Sequence, residues 1–289
     1  MKKALFFLVA VLLPELMSAS VHSMSISDAV RNKIIKLSGV NFKGSYTGRS
    51  VRLTVTNLKN DSLDLKVDLG LILKPDDSSY QPMVLAGEEN LVLGAKQKGD
   101  VEVIVFCGNC PRHCPKQNLH YSYWKTGSKE LVSVLRYINN HRLFDYLGQN
   151  AVWAITNNNR VENIYDPERA VISMKLVDTF CLVTGRAKPD YYAVSAKNEV
   201  PGEAAYTPKT LKILTRFDVR LKTATILSVG VFDEHNQMIV KLIERRRFEQ
   251  GQHNLDVVFD AEEFGAGKFT IRLMDPEKVL AEKKVESGL

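Results

Sequence analysis

Runs of alternating apolar and polar residues, cut at short intervals by turn residues, limit what this chain can fold into more than any other feature. Val51, Leu53 and Val55 alternate with Arg52, Thr54 and Thr56, and after the Asn60-Asp61-Ser62 turn Leu63, Leu65, Val67 and Leu69 alternate with Asp64, Lys66 and Asp68. A period of two with one wet face predicts an antiparallel pair lying on a core. Further strand-like runs at 83–86, 91–93 and 101–106 are separated by Gly87, Gly94 and Gly99. Together they predict a small antiparallel sandwich or curled sheet.

Helical spacing interrupts this pattern in several places. Ser27 and Asp28 precede Val30, Ile34 and Leu37 at helical intervals, with Gly39 as a stop, and predict a helix of about three turns. Leu131, Val132, Leu135 and Ile138 recur at helical spacing after Ser128, and residues 149–155 predict a short apolar helix around Trp153. Asp166 as N-cap, Pro167 in the first turn, Glu168 at the positive end of the dipole and Gly185 as a stop bound a third helix. Ile172, Leu176, Phe180 and Val183 form its expected buried stripe, with Cys181 beside it.

Periodicity then fades over 188–208, where Pro189, Pro201, Gly202 and Pro208 predict a linker. Beyond it, five strand-like runs at 225–232, 238–243, 254–259, 268–274 and 279–285 predict a small all-β sandwich. The expected organisation is an α+β N-terminal domain over 24–187, an antiparallel β-sandwich with helices, then the linker 188–208 and an all-β sandwich over 209–289.

The first twenty residues read as an address. Lys2 and Lys3, an apolar run from Ala4 to Leu13, Pro14 and the small-residue exit Ser18-Ala19-Ser20 have the layout of a secretory signal peptide. The run is too short to cross a bilayer as a helix, and no other stretch is long and apolar enough, so no transmembrane segment is expected after its removal. The expected location is secreted or cell-surface, with the periplasm as the alternative. With 45% hydrophobic and 25% charged residues, the chain has the composition of a globular protein rather than a disordered or polytopic one. Its net charge of +6 is spread among interleaved acids and bases, and no nucleic-acid partner is expected.

Export gives the four cysteines a particular meaning, because oxidising compartments favour disulfides. Cys107, Cys110 and Cys114 lie within ten residues, and Cys181 lies far along the chain. They constitute a disulfide or thiol cluster: paired as disulfides, with the connectivity open, or redox-active, or binding zinc with His113, His120 or Cys181 as a fourth ligand. A thioredoxin-like site needs the pair at a helix N-terminus, whereas Pro111 and Pro115 predict a loop. Tyr121, Tyr123 and Trp124, beside His120, are the candidate aromatic platform for a sugar or peptide. Asp76, Asp77, Glu88 and Glu89 read as solvated turn acids rather than a calcium site, and Lys241 with Arg245, Arg246 and Arg247 as the exposed end of a hairpin. No Gly-x-Ser-x-Gly elbow, His-Glu-x-x-His or phosphate-binding glycine loop occurs, so no catalytic residue and no cofactor are assigned.

Four short stretches carry a resemblance: Val-Phe-Asp-Glu-His-Asn-Gln-Met-Ile-Val at 231–240, Phe-Glu-Gln-Gly-Gln-His-Asn-Leu at 248–255, Gly-Lys-Phe-Thr-Ile-Arg-Leu at 267–273 and Glu-Lys-Lys-Val at 282–285. This region resembles the Ig-like C-terminal domains of Bacteroidetes type IX secretion cargo and their flagellar hook-capping relatives. It lacks the Pro-Asn-Pro opening of that family, and Phe269 stands where Tyr is commoner. The resemblance implies an Ig-like sandwich that serves type IX secretion, anchoring or assembly. Residues 76–84, the cysteine cluster and residues 149–156 are similar to domains in uncharacterised secreted bacterial proteins, a likeness that implies no activity. The expected function is therefore a non-enzymatic exported protein whose N-terminal module binds a protein or glycan partner at the cell surface, type IX secretion components included. The alternative is an exported thiol-redox or metal-binding protein built on Cys107, Cys110 and Cys114.

Overall fold

A computed structural model describes residues 23–198, 200 and 203–288; the expected signal peptide lies outside the described residues. The chain runs β1 (Ser23–Ser25), α1 (Ile26–Arg31), β2 (Ile35–Asn41), β3 (Thr47–Asn57), β4 (Leu63–Val67), β5 (Leu71–Pro75), β6 (Met83–Leu85), β7 (Glu89–Leu93), β8 (Lys98–Cys107) and β9 (Leu119–Thr126). Three helices follow, α2 (Lys129–Asn140), α3 (Tyr146–Thr156) and α4 (Ala170–Thr184). Seven strands complete it: β10 (Tyr191–Lys197), β11 (Tyr206–Leu221), β12 (Thr225–Phe232), β13 (Met238–Phe248), β14 (Gly251–Asp260), β15 (Gly267–Met274) and β16 (Val279–Ser287).

The first part is not the expected sandwich. Its main sheet closes into a six-stranded barrel in the order β2-β3-β8-β6-β5-β9, while β1, β4 and β7 form a separate three-stranded sheet. Closure depends on β2, which pairs with β3 along its whole length and with β9 through Ser38–Asn41. The helix expected over 27–39 is therefore wrong beyond its first turns. α1, capped by the Ser25 hydroxyl on the Asp28 N–H, ends at Arg31, Lys33 takes a left-handed φ of 53°, and Ile35 begins the strand. Valine and isoleucine at helical spacing also suit a strand, and the two-sided pairing of β2 decides between them.

The barrel has a core on each side of its wall. Val51, Leu53, Val55, Leu73, Met83, Leu85, Val103, Val105 and Cys107 belong to one cluster with the α1 residues Ile26 and Ala29 and the β4 residues Leu65 and Val67. Ile72, Val84, Ala86 and Phe106 face the other way, onto Leu131, Val134, Leu135 and Ile138 of α2, Ala151 and Val152 of α3, and Leu176, Val177 and Phe180 of α4. Strands covered on both faces lose their polar alternation, as the run from Met83 to Ala86 does.

The helix ends follow their caps. The Ser128 hydroxyl accepts from the Leu131 N–H at 3.2 Å, and Asp145 accepts from the Leu147 N–H at 2.9 Å. Asp166 caps a 3₁₀ turn, Pro167–Arg169, that leads directly into α4, and α4 ends at Gly185 with a φ of 69°. Of the expected stripe, Leu176 and Phe180 are buried, while Ile172 and Val183 pack at its margin.

Residues 188–208 are not simply a linker, because β10 occupies seven of them and pairs with β11. Pro208 sits where the β10–β11 register is irregular, the position in a ladder that tolerates a missing N–H. With β10 and β11 added to the five expected strands, two sheets result, β10-β11-β14 and β13-β12-β15-β16. They share one core, to which Ile213, Phe217, Val257 and Phe259 contribute from the first sheet and Val229, Val231, Ile271 and Leu273 from the second. The architecture is thus β-rich with helices packed on one side of the barrel, and it ends in a β-sandwich.

Candidate functional site

The cysteine loop joins β8 to β9 and is fastened along its length. Gln149, fully buried on α3, receives the Cys107 N–H on its Oε1 at 2.9 Å and donates its Nε2 to the Cys107 carbonyl at 2.8 Å. An amide side chain thereby replaces a neighbouring strand at the point where the ladder ends. Gln81, also fully buried, accepts the Asn109 N–H at 3.2 Å and donates to the Arg112 carbonyl at 3.0 Å. The Cys110 N–H goes to Asn157 Oδ1 at 3.1 Å, and the Cys114 N–H to the Glu203 carbonyl at 3.1 Å. Gln81 and Gln149 were not among the expected site residues. The sequence signal for them is faint: Gln81 stands between Tyr80 and Pro82, and Gln149 beside Asn150 at the start of an otherwise apolar helix.

All four cysteines stand as free thiols, in place of the expected disulfides. Cys107 points into the barrel, its Sγ 4.0 Å from Met83 Sδ. Burial pushes the Cys107 thiol well up, and the nearby Cys114 adds to that rise. Cys114 goes the other way: the nearby Cys107 lowers it, with the Ala205 N–H helping and burial opposing. Burial raises Cys110, whose Sγ lies 3.6 Å from Asn159 Nδ2. Cys181 is distant, on α4, with its thiol 3.6 Å from the Ala187 carbonyl. Among the described residues no group of three His, Cys, Asp or Glu side chains is arranged to hold a metal ion, so His113, His120 and Cys181 do not complete a zinc set.

The expected aromatic platform is divided by the strand itself. Successive side chains of β9 point to opposite faces, so Tyr121 is buried in the barrel core and Tyr123 packs at its margin. Burial raises the Tyr121 phenol, as do the nearby Cys107 and Cys114. Only Trp124 of the three is a surface ring, 49% exposed, with Lys125 Nζ 4.4 Å from its centroid. It lies at the lip of a groove of about 370 Å³ whose other walls include Asn109 and Arg112 of the cysteine loop, Thr156 of α3 and an apolar floor of Val84 and Leu131. Asn109 and Arg112 are not among the residues the sequence singles out, because the evident signal of their loop is its cysteines.

The other sequence candidates are engaged elsewhere. Asp77 accepts the Ser79 N–H and hydroxyl, Glu88 pairs with Lys66 at 3.1 Å and Glu89 with Arg49 at 2.5 Å. On β13, Lys241 pairs with Glu244 at 2.7 Å and Arg247 with Glu249 at 3.1 Å, while Arg246 lies over the Phe248 ring. A second cleft of about 420 Å³ lies between α3, the Asp166 turn and β10, and is lined by Asp145, Asp166 and Arg169. Arg169 bridges the two carboxylates at 2.7 and 2.8 Å.

No family model matches the chain, and no curated protein matches it. Among solved structures, it has a likeness to a Bacteroides fragilis protein described as a β-galactosidase, at 11% identity and a TM-score of 0.22, covering 86% of this chain and 35% of that one. A second is to a β-glucosidase from Kluyveromyces marxianus, at 10% identity and a TM-score of 0.21, covering 83% and 44%. The chain spans less than half the length of either. At those scores the likenesses carry no argument about fold or activity.

Proposed function

We propose that the chain is an exported, non-enzymatic protein that engages a protein or glycan partner at the cell surface through the groove beside Trp124. Its C-terminal sandwich, in this reading, is an Ig-like module that serves type IX secretion, anchoring or assembly. The observation that carries the binding half is Trp124 itself. A half-exposed indole on a rigid strand, at the rim of a groove with an apolar floor and the polar side chains of Asn109, Arg112 and Thr156, has the make-up of a recognition site. The Ig-like half is supported by strand order. With the seven strands taken as A to G, the first sheet runs A-B-E and the second D-C-F-G, a seven-strand arrangement in which D has joined the sheet of C, F and G.

The test uses the full chain labelled with a fluorophore, applied to intact host cells and to an array of bacterial surface glycans. The wild type is expected to be retained, and Trp124→Ala to lose at least about tenfold in apparent affinity, the cost typical of removing an aromatic anchor. Equal melting temperatures for the two proteins establish that the loss is local. Retention unchanged in Trp124→Ala would place binding elsewhere, and no retention of the wild type on either surface would remove the binding claim.

A further inference from the structure

The groove beside Trp124 carries one sign of charge. Of the side chains that line it, Arg112 and Lys125 are cations and none is Asp or Glu. Elsewhere on the first part of the chain bases meet acids, as in the pairs Arg49–Glu89, Arg52–Glu102 and Lys66–Glu88. Among the described residues neither Arg112 nor Lys125 has a carboxylate partner. Lys125 Nζ lies 4.4 Å from the Trp124 centroid, which holds the ammonium over one face of the indole. Ser128, the N-cap of α2, stands on the same wall, so the positive end of that helix adds to the same sign. Asn109 adds a donor: its Oδ1 is buried, and its Nδ2 meets no acceptor among the described residues. Trp124 itself is placed by an irregularity. In the β5–β9 pairing Leu73 faces Tyr123 and Ile72 faces Lys125, so Trp124 is the extra residue of a bulge, a device that re-aims a side chain.

We infer that the ligand of this groove is an acidic polysaccharide whose rings carry carboxylates, a uronic-acid glycan, with Arg112 and Lys125 on the carboxylate and Trp124 against the ring. The inference rests on the reading of the groove as a recognition site and names the class of its ligand. The planar guanidinium of Arg112 matches a carboxylate through two parallel N–H donors, and the Lys125 ammonium supplies a second charge beside it. The indole face that Lys125 leaves open, with the floor of Val84 and Leu131, offers the apolar surface that the C–H face of a sugar ring covers.

The same lining favours a glycan over an acidic peptide. An extended peptide presents fixed N–H donors, and a groove whose side chains are cations and donors leaves them without acceptors, at a cost for each one that is buried. A sugar hydroxyl accepts from such a wall and turns its own hydrogen toward water. The volume of about 370 Å³ suits a short run of rings rather than a folded domain.

The experiment measures binding of the labelled full chain to polyglucuronate, polygalacturonate and hyaluronan, each beside the same polymer with its carboxyls reduced to hydroxymethyl groups. Poly-L-glutamate supplies carboxylates without rings. The wild type is expected to bind at least one of the three acidic polymers, and its reduced twin at least about tenfold more weakly, the scale of a lost charge-assisted hydrogen bond. Arg112 is exposed, so Arg112→Gln keeps the fold; it is expected to bring binding of the acidic polymer down to that of the twin and to leave the twin unchanged. Arg112→Lys should restore part of the loss. Arg245→Gln, on the distant strand β13, should change nothing. Equal binding of a polymer and its twin would overturn the inference, as would an equal loss in Arg245→Gln, which would mark attraction to the whole basic surface. Binding of poly-L-glutamate with the same dependence on Arg112 would replace the glycan by an acidic peptide. Binding to none of the three polymers would also overturn it, and retention of Trp124→Ala on host cells then decides separately whether the groove reading stands.

Discussion

Gly148 shows how far a single residue's context can reverse its intrinsic preference. In a helix interior, alanine is favoured over glycine by about 1 kcal/mol, so helix propensity alone predicts that Gly148→Ala stabilises α3. Gly148, however, is buried in the first turn of that helix, and a Cβ added there would stand 2.1 Å from the Leu143 carbonyl oxygen and 2.8 Å from Phe106 Cζ. Neither neighbour can give way easily, since one is backbone and the other a fully buried ring. Overpacking of this kind costs about 1–3 kcal/mol, more than the propensity gain. Gly148→Ala is therefore expected to lower the urea midpoint by the equivalent of about 2 kcal/mol at unchanged slope. A raised midpoint would mean that the loop before α3 yields more readily than its packing indicates.

At the scale of elements, what was legible in the sequence divides along the range of the contacts involved. α2 and the start of α4 announce themselves through Ser128 and Asp166, whose capping bonds span two or three residues. The strands β12 to β16 follow the alternation closely, because four of them form consecutive hairpins or neighbours in one sheet. β2 reads as helix in the sequence because its identity depends on β9, some eighty residues away, and β10 reads as linker because Pro189, Pro201 and Pro208 punctuate the chain on either side of it. The site follows the same rule: the clustering of the cysteines is visible, but the Gln81 and Gln149 bonds that fasten their loop and the groove that Trp124 shares with Asn109 and Arg112 are products of the tertiary fold. The start of α3 offers a test at this scale. Burial works to raise the Asp145 carboxyl, yet the hydrogen bond and charge of Arg169 outweigh it and hold the group below its ordinary value. A carboxylate depressed in the folded state contributes stability above its unfolded pKa, and that stability is lost as the pH falls through the folded value. Both side chains keep more than a third of their surface in water, so the pair is worth about 1 kcal/mol or less. Arg169→Gln is expected to cost about that much at pH 7 and nothing once Asp145 is protonated, as read by urea unfolding at the two pH values. A cost independent of pH would show that Arg169 acts through packing instead.

For the whole molecule, the decisive question is how the barrel and the sandwich share their stability. Tyr206, the first residue of β11, belongs to the sandwich by chain, but its ring stands edge-on to the buried Trp153 at 5.7 Å and packs against the barrel core. Ala205 beside it is buried in that same core, and the Glu203 carbonyl just before it accepts the Cys114 N–H at 3.1 Å. On the opposite flank, Arg160 reaches the Tyr191 hydroxyl and Glu286, which ties the turn after α3 to both sheets of the sandwich. Of these two links the one through the buried Ala205 and the half-buried Tyr206 is the more apolar; the Arg160 pair is about half exposed and contributes little. Cooperativity between the two bodies should therefore run through Tyr206. The wild type is expected to unfold in one calorimetric transition, and Tyr206→Ala to separate it into two, with the barrel transition moved down and the sandwich transition left in place. The sandwich keeps its own core of Phe217, Val231, Phe259 and Ile271, which the substitution does not touch. If both parts instead moved down together as a single transition, the coupling would reside in the remaining contacts, the Arg160 flank and the Tyr165–Tyr192 stack, and Arg160→Gln or Tyr192→Ala would then produce the separation that Tyr206→Ala did not.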